Sequence, residues 1–251
     1  MNKEPITEFD LKLIAAFFRK LDRQGPGDDE QTLKALEFLA PHRSGLRIAD
    51  IGCGTGRQTA VLARHLDGTI TAVDLLPELI EGLDARMERL GYGGKVTSVV
   101  GSMDDLPFGD ETLDLIWAEG SIYNIGFERG LTEWRRFLKP GGAIAVTECS
   151  WLSPLRRPAT PFILENFPEI DTPSAKLRIL ENAGYIPLAH FLLPASCWTE
   201  NYFAPAAARM PLFLEEQGHS PAALQREEIE HYRNHGTDYG YVFYIGRKAE
   251  E

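Results

Sequence analysis

The sequence predicts an α/β domain, a largely parallel sheet with helices packed on both of its faces. Three observations carry this reading. Leu46–Ile51 (LRIADI) is an apolar run that ends in a glycine-dense turn, Gly52–Gly56, and Arg57–Leu66 then takes up helical spacing. Strand-like runs go on alternating with helix-length stretches as far as Thr147, which is the pattern of βαβ crossovers. At 251 residues, the chain has room for one such domain with about fifty residues of elaboration.

Taken in order, Thr7 is placed as an N-cap with Asp10 at N3, and Ile6 and Leu11 as the flanking apolar pair, so a helix is expected over Thr7–Leu21. Phe9, Leu13, Ile14, Phe17, Phe18 and Leu21 recur along it at helical spacing. That face can pack on the core or close over a site as a lid. The turn Gln24-Gly25-Pro26-Gly27 leads through acidic residues into a second helix, Glu30–Leu39, which Pro41 and Gly45 end. After the first strand and its helix, Thr69–Val73 is a β-branched strand closing on Asp74, and Pro77 opens a helix to about Leu90. Val96–Val100 and Leu113–Ala118 read as strands three and four. Gly126–Leu138 reads as a helix stopped by Lys139-Pro140-Gly141-Gly142, and Ala143–Thr147 as the fifth strand. The proline-rich stretch Trp151–Phe167 breaks the rhythm around a short helix. Pro173–Ala183 is then a helix, Tyr185–Leu193 the sixth strand, Trp198–Glu216 and Pro221–Asn234 helices, and Tyr239–Ile245 the last strand. With no repeat, low-complexity tract or linker, a single domain is expected over 1–251.

Charge and cysteine content narrow the function. The net charge is −11 and no Lys/Arg-rich run is present, which argues against nucleic acid as a main partner, because such binding is mostly phosphate neutralisation. Cys53, Cys149 and Cys197 have no metal-type spacing, and their odd number fits a reducing compartment. No metal site is expected. The first ten residues, MNKEPITEFD, hold no apolar core of a signal peptide, and no run approaches a membrane span. A cytoplasmic protein is expected.

The chemistry concentrates at the first turn. Gly52, Gly54 and Gly56 let the backbone fold sharply off the strand and approach a ligand with no Cβ in the way. The next helix presents unpaired N–H groups and the positive end of its dipole to the same place, and Asp50 adds a carboxylate at the strand end. The turn is expected to lie open, so that a side chain at Gly54 would block a ligand at little cost in stability. A dinucleotide-binding turn has its third glycine three residues after the second. Here Arg57 holds that place and the glycine comes one residue early, at Gly56. Asp74, twenty-two residues after Gly52, stands where a carboxylate accepts from ribose hydroxyls.

Asp50–Gly56 (DIGCGTG), Thr71–Asp74, Gly101–Phe108, Asp114–Ile116 and Leu138–Gly142 follow one another in the order and spacing of a known set. Through them the sequence resembles the class I S-adenosylmethionine-dependent methyltransferases, in particular the type 11 group related to quinone-biosynthesis methyltransferases, over about residues 45–150. The resemblance implies a Rossmann-like three-layer sandwich whose seven-stranded, mostly parallel sheet has its last strand antiparallel, with extra N-terminal helices. Residues 1–44 would then be a helical cap, 45–150 the cofactor-binding core and 151–251 a half with acceptor-side insertions. The cofactor would be S-adenosylmethionine, leaving as S-adenosylhomocysteine, and the acceptor a small molecule.

The resemblance also implies residue roles. The loop of Asp50, Gly52, Cys53, Gly54 and Gly56 would hold the methionyl end, and Asp74 with Leu75 the ribose. Where the family commonly has Asp against the adenine amino group, this chain has Ser102, so Ser102, Met103 and Asp104 share that expectation. Glu119, after the fourth strand, is a candidate base or a carboxylate that touches the cofactor or a helix N-terminus. Tyr123 and Asn124 are candidate positioning groups for the acceptor. Methyl transfer needs alignment first and a base only for a protonated acceptor. Glu148 shares the ambiguity of Glu119. His190 is expected to be structural, and Cys197–Tyr202 either lines an acceptor pocket or packs in the core. Two other functions stay open: a cofactor-binding sensor or scaffold without transfer, and a nicotinamide-dependent oxidoreductase, which the early Gly56 disfavours.

Overall fold

The structure, a computed structural model, describes residues 8–39, 44–153, 155, 157, 160–217 and 221–249. The expected cap at Ile6 and Thr7, the Phe9 side chain and the helix stop at Pro41 lie outside the described residues. Helices α1 (Glu8–Phe18) and α2 (Asp29–Glu37) precede the sheet. The first half alternates β1 (Leu46–Ile51), α3 (Arg57–His65), β2 (Gly68–Asp74), α4 (Pro77–Leu90) and β3 (Val96–Val100). It then runs through β4 (Leu113–Ala118), α5 (Phe127–Trp134) and β5 (Leu138–Trp151). The second half holds α6 (Pro161–Asn166), α7 (Pro173–Asn182), β6 (Tyr185–Leu192), α8 (Ser196–Trp198), α9 (Ala204–Gln217), α10 (Pro221–His235) and β7 (Tyr239–Lys248).

The seven strands lie in the order β3-β2-β1-β4-β5-β7-β6, and β7 runs antiparallel to both of its neighbours. The chain leaves β1 toward β2 and β3, then returns to build outward from β4. The crevice beyond the carboxyl ends of β1 and β4 is therefore the switch point where ligands bind in open α/β sheets. Successive residues of β1 feed opposite cores. Ile48 packs with Leu62, Leu83 and Leu115 on one face, while Ala49 and Ile51 pack with Val73, Ile116 and Leu131 on the other. Helices on both faces are what bury such a continuous apolar run.

Helix α1 is apolar on two sides. Leu13 and Phe17, four residues apart and so on one face, pack with Leu21 just beyond the helix and with Ala206, Met210 and Phe213. Phe17 meets Phe213 edge-on at 5.3 Å. Leu11, Ile14 and Phe18 line the crevice instead. Core packing and covering a site, set against each other by the sequence, are thus both present on one helix.

Three boundaries differ from expectation. Helix α1 stops at Phe18 because the Leu21 amide bonds back to Phe18, freeing the Leu21 and Asp22 carbonyls to accept from the Thr55 hydroxyl. The helix expected over Gly126–Leu138 tightens to 3₁₀ at Arg135–Phe137, and Leu138 already pairs with Leu113. The strand β5 therefore begins before the glycine pair, and pairing with β7 extends it to Trp151. The helix expected from Trp198 starts as the single turn α8, widens to a π-helix at Thr199–Phe203 and continues as α9. No described helix is long and apolar enough to cross a membrane.

Candidate active site

The glycine turn is pinned to β2. The Gly52 and Cys53 amides both donate to the Val73 carbonyl at 2.8 and 3.0 Å. The Gly54 amide donates to Asp74 Oδ2 at 2.8 Å, and the Leu76 amide to Oδ1 at 3.0 Å. Burial is the first influence on the Asp74 carboxyl and raises its pKa, against these backbone bonds that lower it. A Cβ on Gly52 would fall 2.3 Å from the Ser121 Cβ, so glycine is required for the turn to lie against the end of β4. The Ser121 hydroxyl closes that contact by donating to the Ile51 carbonyl at 2.6 Å.

A cleft of about 440 Å³ opens over this turn. Gly52, Cys53, Gly54, Asp74, Leu75, Ser102, Met103, Asp104, Glu119, Tyr123 and Asn124 all line it, as their placement in the sequence anticipates. Asp50 and Gly56 do not reach it. Asp50 is fully buried behind the turn, accepting from the Thr59 hydroxyl at 2.6 Å and the Gln58 amide at 3.4 Å, so it fixes the first turn of α3. A Cβ on Gly56 would meet Leu83 at 2.9 Å; that glycine serves the packing of α3 on α4.

Glu119 differs from the candidate base. Its Oε1 accepts from the Thr32 hydroxyl at 2.7 Å and the Trp117 indole at 2.9 Å, and its Oε2 from the Arg23 guanidinium at 3.3 Å. With donors on both oxygens and a side chain only 5% exposed, Glu119 ties α2 and the Arg23 segment to the end of β4. This geometry makes Glu119 a tethering carboxylate, a role not among the sequence expectations for it.

Sequence reasoning missed Arg23 and Gln24: Arg23 stands in no motif, and Gln24 reads only as the start of a turn. Arg23 lines the cleft and also bonds Asp29 at 2.9 Å. Gln24 lies across the glycine turn: its amide nitrogen donates to Leu21 O and Thr55 Oγ1, and its oxygen accepts from the Thr55 amide at 2.9 Å. The turn is therefore covered and not open. A Cβ on Gly54 would come within 2.1 Å of Gln24 Oε1, at a φ of +55°. Gly54→Val is accordingly expected to lose cofactor affinity and about 2 kcal/mol or more of stability together. Calorimetric titration and urea denaturation of the same preparation check it.

At the other end, the Ser102 hydroxyl donates to Asp104 Oδ2 at 3.2 Å, and Asp104 pairs with Arg129 at 2.7 Å. The Met103 carbonyl is anchored by the Trp134 indole at 3.2 Å. Tyr123 leans edge-on against Phe167 at 5.7 Å. Burial, then the charges of Glu228 and Glu148, push its hydroxyl up to about 12, so the phenol stays protonated at neutral pH. Asn124 donates to the Ser121 carbonyl at 2.9 Å at the lip of the cleft.

The remaining candidates sit elsewhere. Glu148 turns into the core and pairs with the fully buried Lys176 at 3.2 Å. His190 is exposed on β6, its ring parallel to Tyr244 at 6.5 Å. Cys197 and Trp198 are buried, and Trp198 stacks on Tyr232 at 4.7 Å, which is core packing.

Asp50 also makes stability depend on pH. Burial, with the Glu119 and Asp74 charges adding to it against the Thr59 bond, raises its carboxyl to about 7. The unfolded chain ionises this group first, so its contribution is present below about pH 4 and is lost as pH rises toward 7. In Asp50→Asn, that decline is expected to flatten. Urea midpoints at pH 5 and pH 8, compared with the wild type, test it.

The sheet order and the glycine turn that grips a β2 carboxylate define the class, a Rossmann-like class I methyltransferase fold. More narrowly, residues 48–142 match the family described as "Methyltransferase domain". A demethylmenaquinone methyltransferase of Symbiobacterium thermophilum is 36% identical over 121 residues, 45% of this chain and 47% of that protein. The malonyl-acyl-carrier-protein O-methyltransferase of Herminiimonas arsenicoxydans is 31% identical over 47% of this chain and 43% of its own length. The match thus spans less than half of each of these relatives. Over the whole chain the likeness is structural. A methyltransferase from Geobacter sulfurreducens solved with S-adenosylhomocysteine superposes with a TM-score of 0.80 at 19% identity, covering 94% of this chain and 97% of that one. The cyclase SpnF superposes at 0.76 with 21% identity over 97% and 94%. At these identities the likeness shows the fold alone.

Proposed function

We propose that this chain is an S-adenosylmethionine-dependent methyltransferase acting on a small molecule. The observation that carries the reading is the Asp74 carboxylate, held by the Gly54 and Leu76 amides at the edge of the roofed cleft. Two backbone bonds leave capacity on both oxygens for a pair of ribose hydroxyls. The surroundings suit the cofactor in charge as well: Asp74, Asp104 and Glu119 outnumber Arg23 along the lining, which favours a sulfonium. When bound, the cofactor supplies an electrophilic methyl whose bonding electrons remain on sulfur as a nucleophile with a lone pair takes the carbon.

The protein's own part is binding and exclusion. The Gly52–Gly54 backbone, with Arg23 and Gln24 above it, would hold the methionyl end. Asp74 and Leu75 would hold the ribose, and Ser102, Met103 and Asp104 the adenine. Tyr123 and Asn124 face the acceptor, while Leu11, Ile14 and Phe18 keep water from the reacting atoms. The acidic net charge and the covered cleft favour a small acceptor over nucleic acid, and three free buried cysteines accord with work in the reducing cytoplasm. Calorimetric titration tests the reading: S-adenosylmethionine and S-adenosylhomocysteine are expected to bind at one site and NAD not at all. Saturable NAD binding without the other two would overturn it.

A further inference from the structure

A second cavity, of about 530 Å³, is walled by α9 and α10 and shares no lining residue with the cleft. One wall begins in the π-helical turn, with Thr199 and Phe203, and continues along α9 with Ala204 and Ala207. Ile229 and Tyr232 of α10 form the other. The Tyr232 ring is held in place by its neighbours: Trp198 stacks on it at 4.7 Å and Phe203 meets it edge-on at 5.3 Å. Size, apolar lining and a preformed wall are the attributes of a small-molecule site.

Its charge runs against that of the whole chain. The net charge is −11, yet no carboxylate stands among the described lining residues, and the one charged group there is the Arg233 guanidinium. Arg233 is exposed near the end of α10 and has no hydrogen-bond or ion-pair partner among the described residues. Asn234 and Thr237, also exposed, add an amide and a hydroxyl to the lining. An apolar floor with one unpaired cation at its rim suits a ligand with an apolar body and a single carboxylate head. Elsewhere the acidic surface repels such a ligand, so binding it takes a local cation.

The π-helical turn also reaches the cleft. Asn201, between Thr199 and Phe203, donates from its amide nitrogen to the Gly27 carbonyl at 3.0 Å and to Asp28 Oδ2 at 2.8 Å. Gly25 and Pro26, just before them, line the cleft, and Asp28 caps α2. One rare turn, of a kind that clusters at functional sites, thus lines the second cavity and holds the segment laid over the first.

We propose that this second cavity is an effector site for an amphipathic carboxylate, and that its occupancy steadies the segment between α1 and α2 through Asn201. Arg233 takes the carboxylate, while Phe203, Ile229 and Tyr232 bury the apolar body. A ligand packed on Thr199 and Phe203 fixes the turn that carries Asn201, and Asn201 then holds Gly27 and Asp28 over the cleft. The two sites are linked, so each ligand tightens the other by the same factor. The effector site stands without the methyltransferase reading, and only its effect on the cofactor rests on that reading.

Matched probes test this. Full-length protein is titrated calorimetrically at pH 8 with octanoate and 1-octanol, which share a chain length and differ in head group. Octanoate is expected to bind at one site, roughly five-fold tighter than 1-octanol. Arg233→Gln is expected to abolish that preference while leaving 1-octanol within about two-fold of its wild-type affinity. Ala207→Trp, which fills the cavity from an exposed position on α9, is expected to weaken both probes at least about ten-fold. Saturating octanoate is expected to slow amide exchange over residues 23–29 about three-fold and to tighten S-adenosylhomocysteine by about the same factor. Asn201→Ala, and Asn201→Asp, which sets like charge against Asp28, are expected to bind octanoate within about two-fold of wild type and to lose both effects. Absence of octanoate binding, or binding that Arg233→Gln or Ala207→Trp leaves unchanged, overturns the site. Exchange over 23–29 that ignores octanoate, or responds equally in both Asn201 variants, overturns its action on the cleft. S-adenosylhomocysteine that fails to bind with or without octanoate overturns the methyltransferase reading instead, and octanoate binding and exchange then decide the proposal by themselves.

Discussion

Asp74→Ala is expected to weaken S-adenosylmethionine and S-adenosylhomocysteine equally, by roughly 1.5–3 kcal/mol, or about ten- to a hundred-fold. The equality matters, because the ribose is common to both molecules and the methyl is not. The loss has two parts. One is the charge-assisted bonds to the ribose. The other is the Gly54 amide, which donates to Asp74 at 2.8 Å and would be left without that acceptor, so that the turn itself loosens. Asp74→Asn separates them: its side-chain oxygen still accepts from Gly54, and affinity should return part of the way. Calorimetric titration of both variants with both molecules gives the answer. Wild-type affinity in Asp74→Ala would refute the placement of the ribose at β2.

Truncation before Arg19 is expected to leave a folded sheet that binds cofactor but transfers methyl at least about 100-fold more slowly. The reasoning is that α1 supplies no strand, and its buried side chains Leu13 and Phe17 meet Ala206, Met210 and Phe213, with only the half-buried Phe18 touching one of the two clusters that flank the sheet. Those clusters survive its removal, whereas the roof of Leu11, Ile14 and Phe18 is lost. The segment carrying Arg23 and Gln24 stays, so cofactor affinity should fall only modestly. A point variant sharpens the test. Phe17 is fully buried, and Phe17→Ala would cost about 3–5 kcal/mol in a rigid core. If α1 detaches on its own, the cost is capped at the free energy of that local opening. Amide exchange in α1 that is fast in the free protein and slows when cofactor and acceptor analogue bind together would mark a lid. Exchange that is fully protected throughout, with global unfolding on truncation, would mark ordinary core.

How much of this was legible in the chain depends on the range of the forces involved. The strand at Leu46–Ile51, the turn at Gly52–Gly56 and the carboxylate at Asp74 follow from local pattern: an apolar run buried on both faces, positive-φ glycines, and an acid at a strand end. The family resemblance pointed to Ser102, Met103 and Asp104, and all three line the cleft. The antiparallel β7 did not follow from alternation, which any doubly wound sheet satisfies; the family resemblance supplied it, and the pairing with β5 and β6 bears it out.

Beyond that, sequence determined which residue types stand near the crevice, and only the tertiary structure decided what each one does there. Glu119 stands beside the cleft in sequence, but Thr32 and Arg23 arrive from far along the chain, with the neighbouring Trp117, to take up its oxygens. Asp50 and Gly56 belong to the glycine motif, yet the fold of α3 turns the first inward onto Thr59 and sets the second against Leu83. Arg23 and Gln24 carry no pattern of their own, and they become part of the site because α1 docks on α9 and lays the segment between α1 and α2 across Gly54. Helical spacing could not separate the two apolar faces of α1 by function, since burial against Phe213 and exposure to a cleft place the same demand on residue type. Local propensity and periodicity are written into neighbouring residues. The partner of a charged or apolar side chain is chosen by packing, between segments up to about two hundred residues apart, as with Phe17 and Phe213, that no short-range pattern connects.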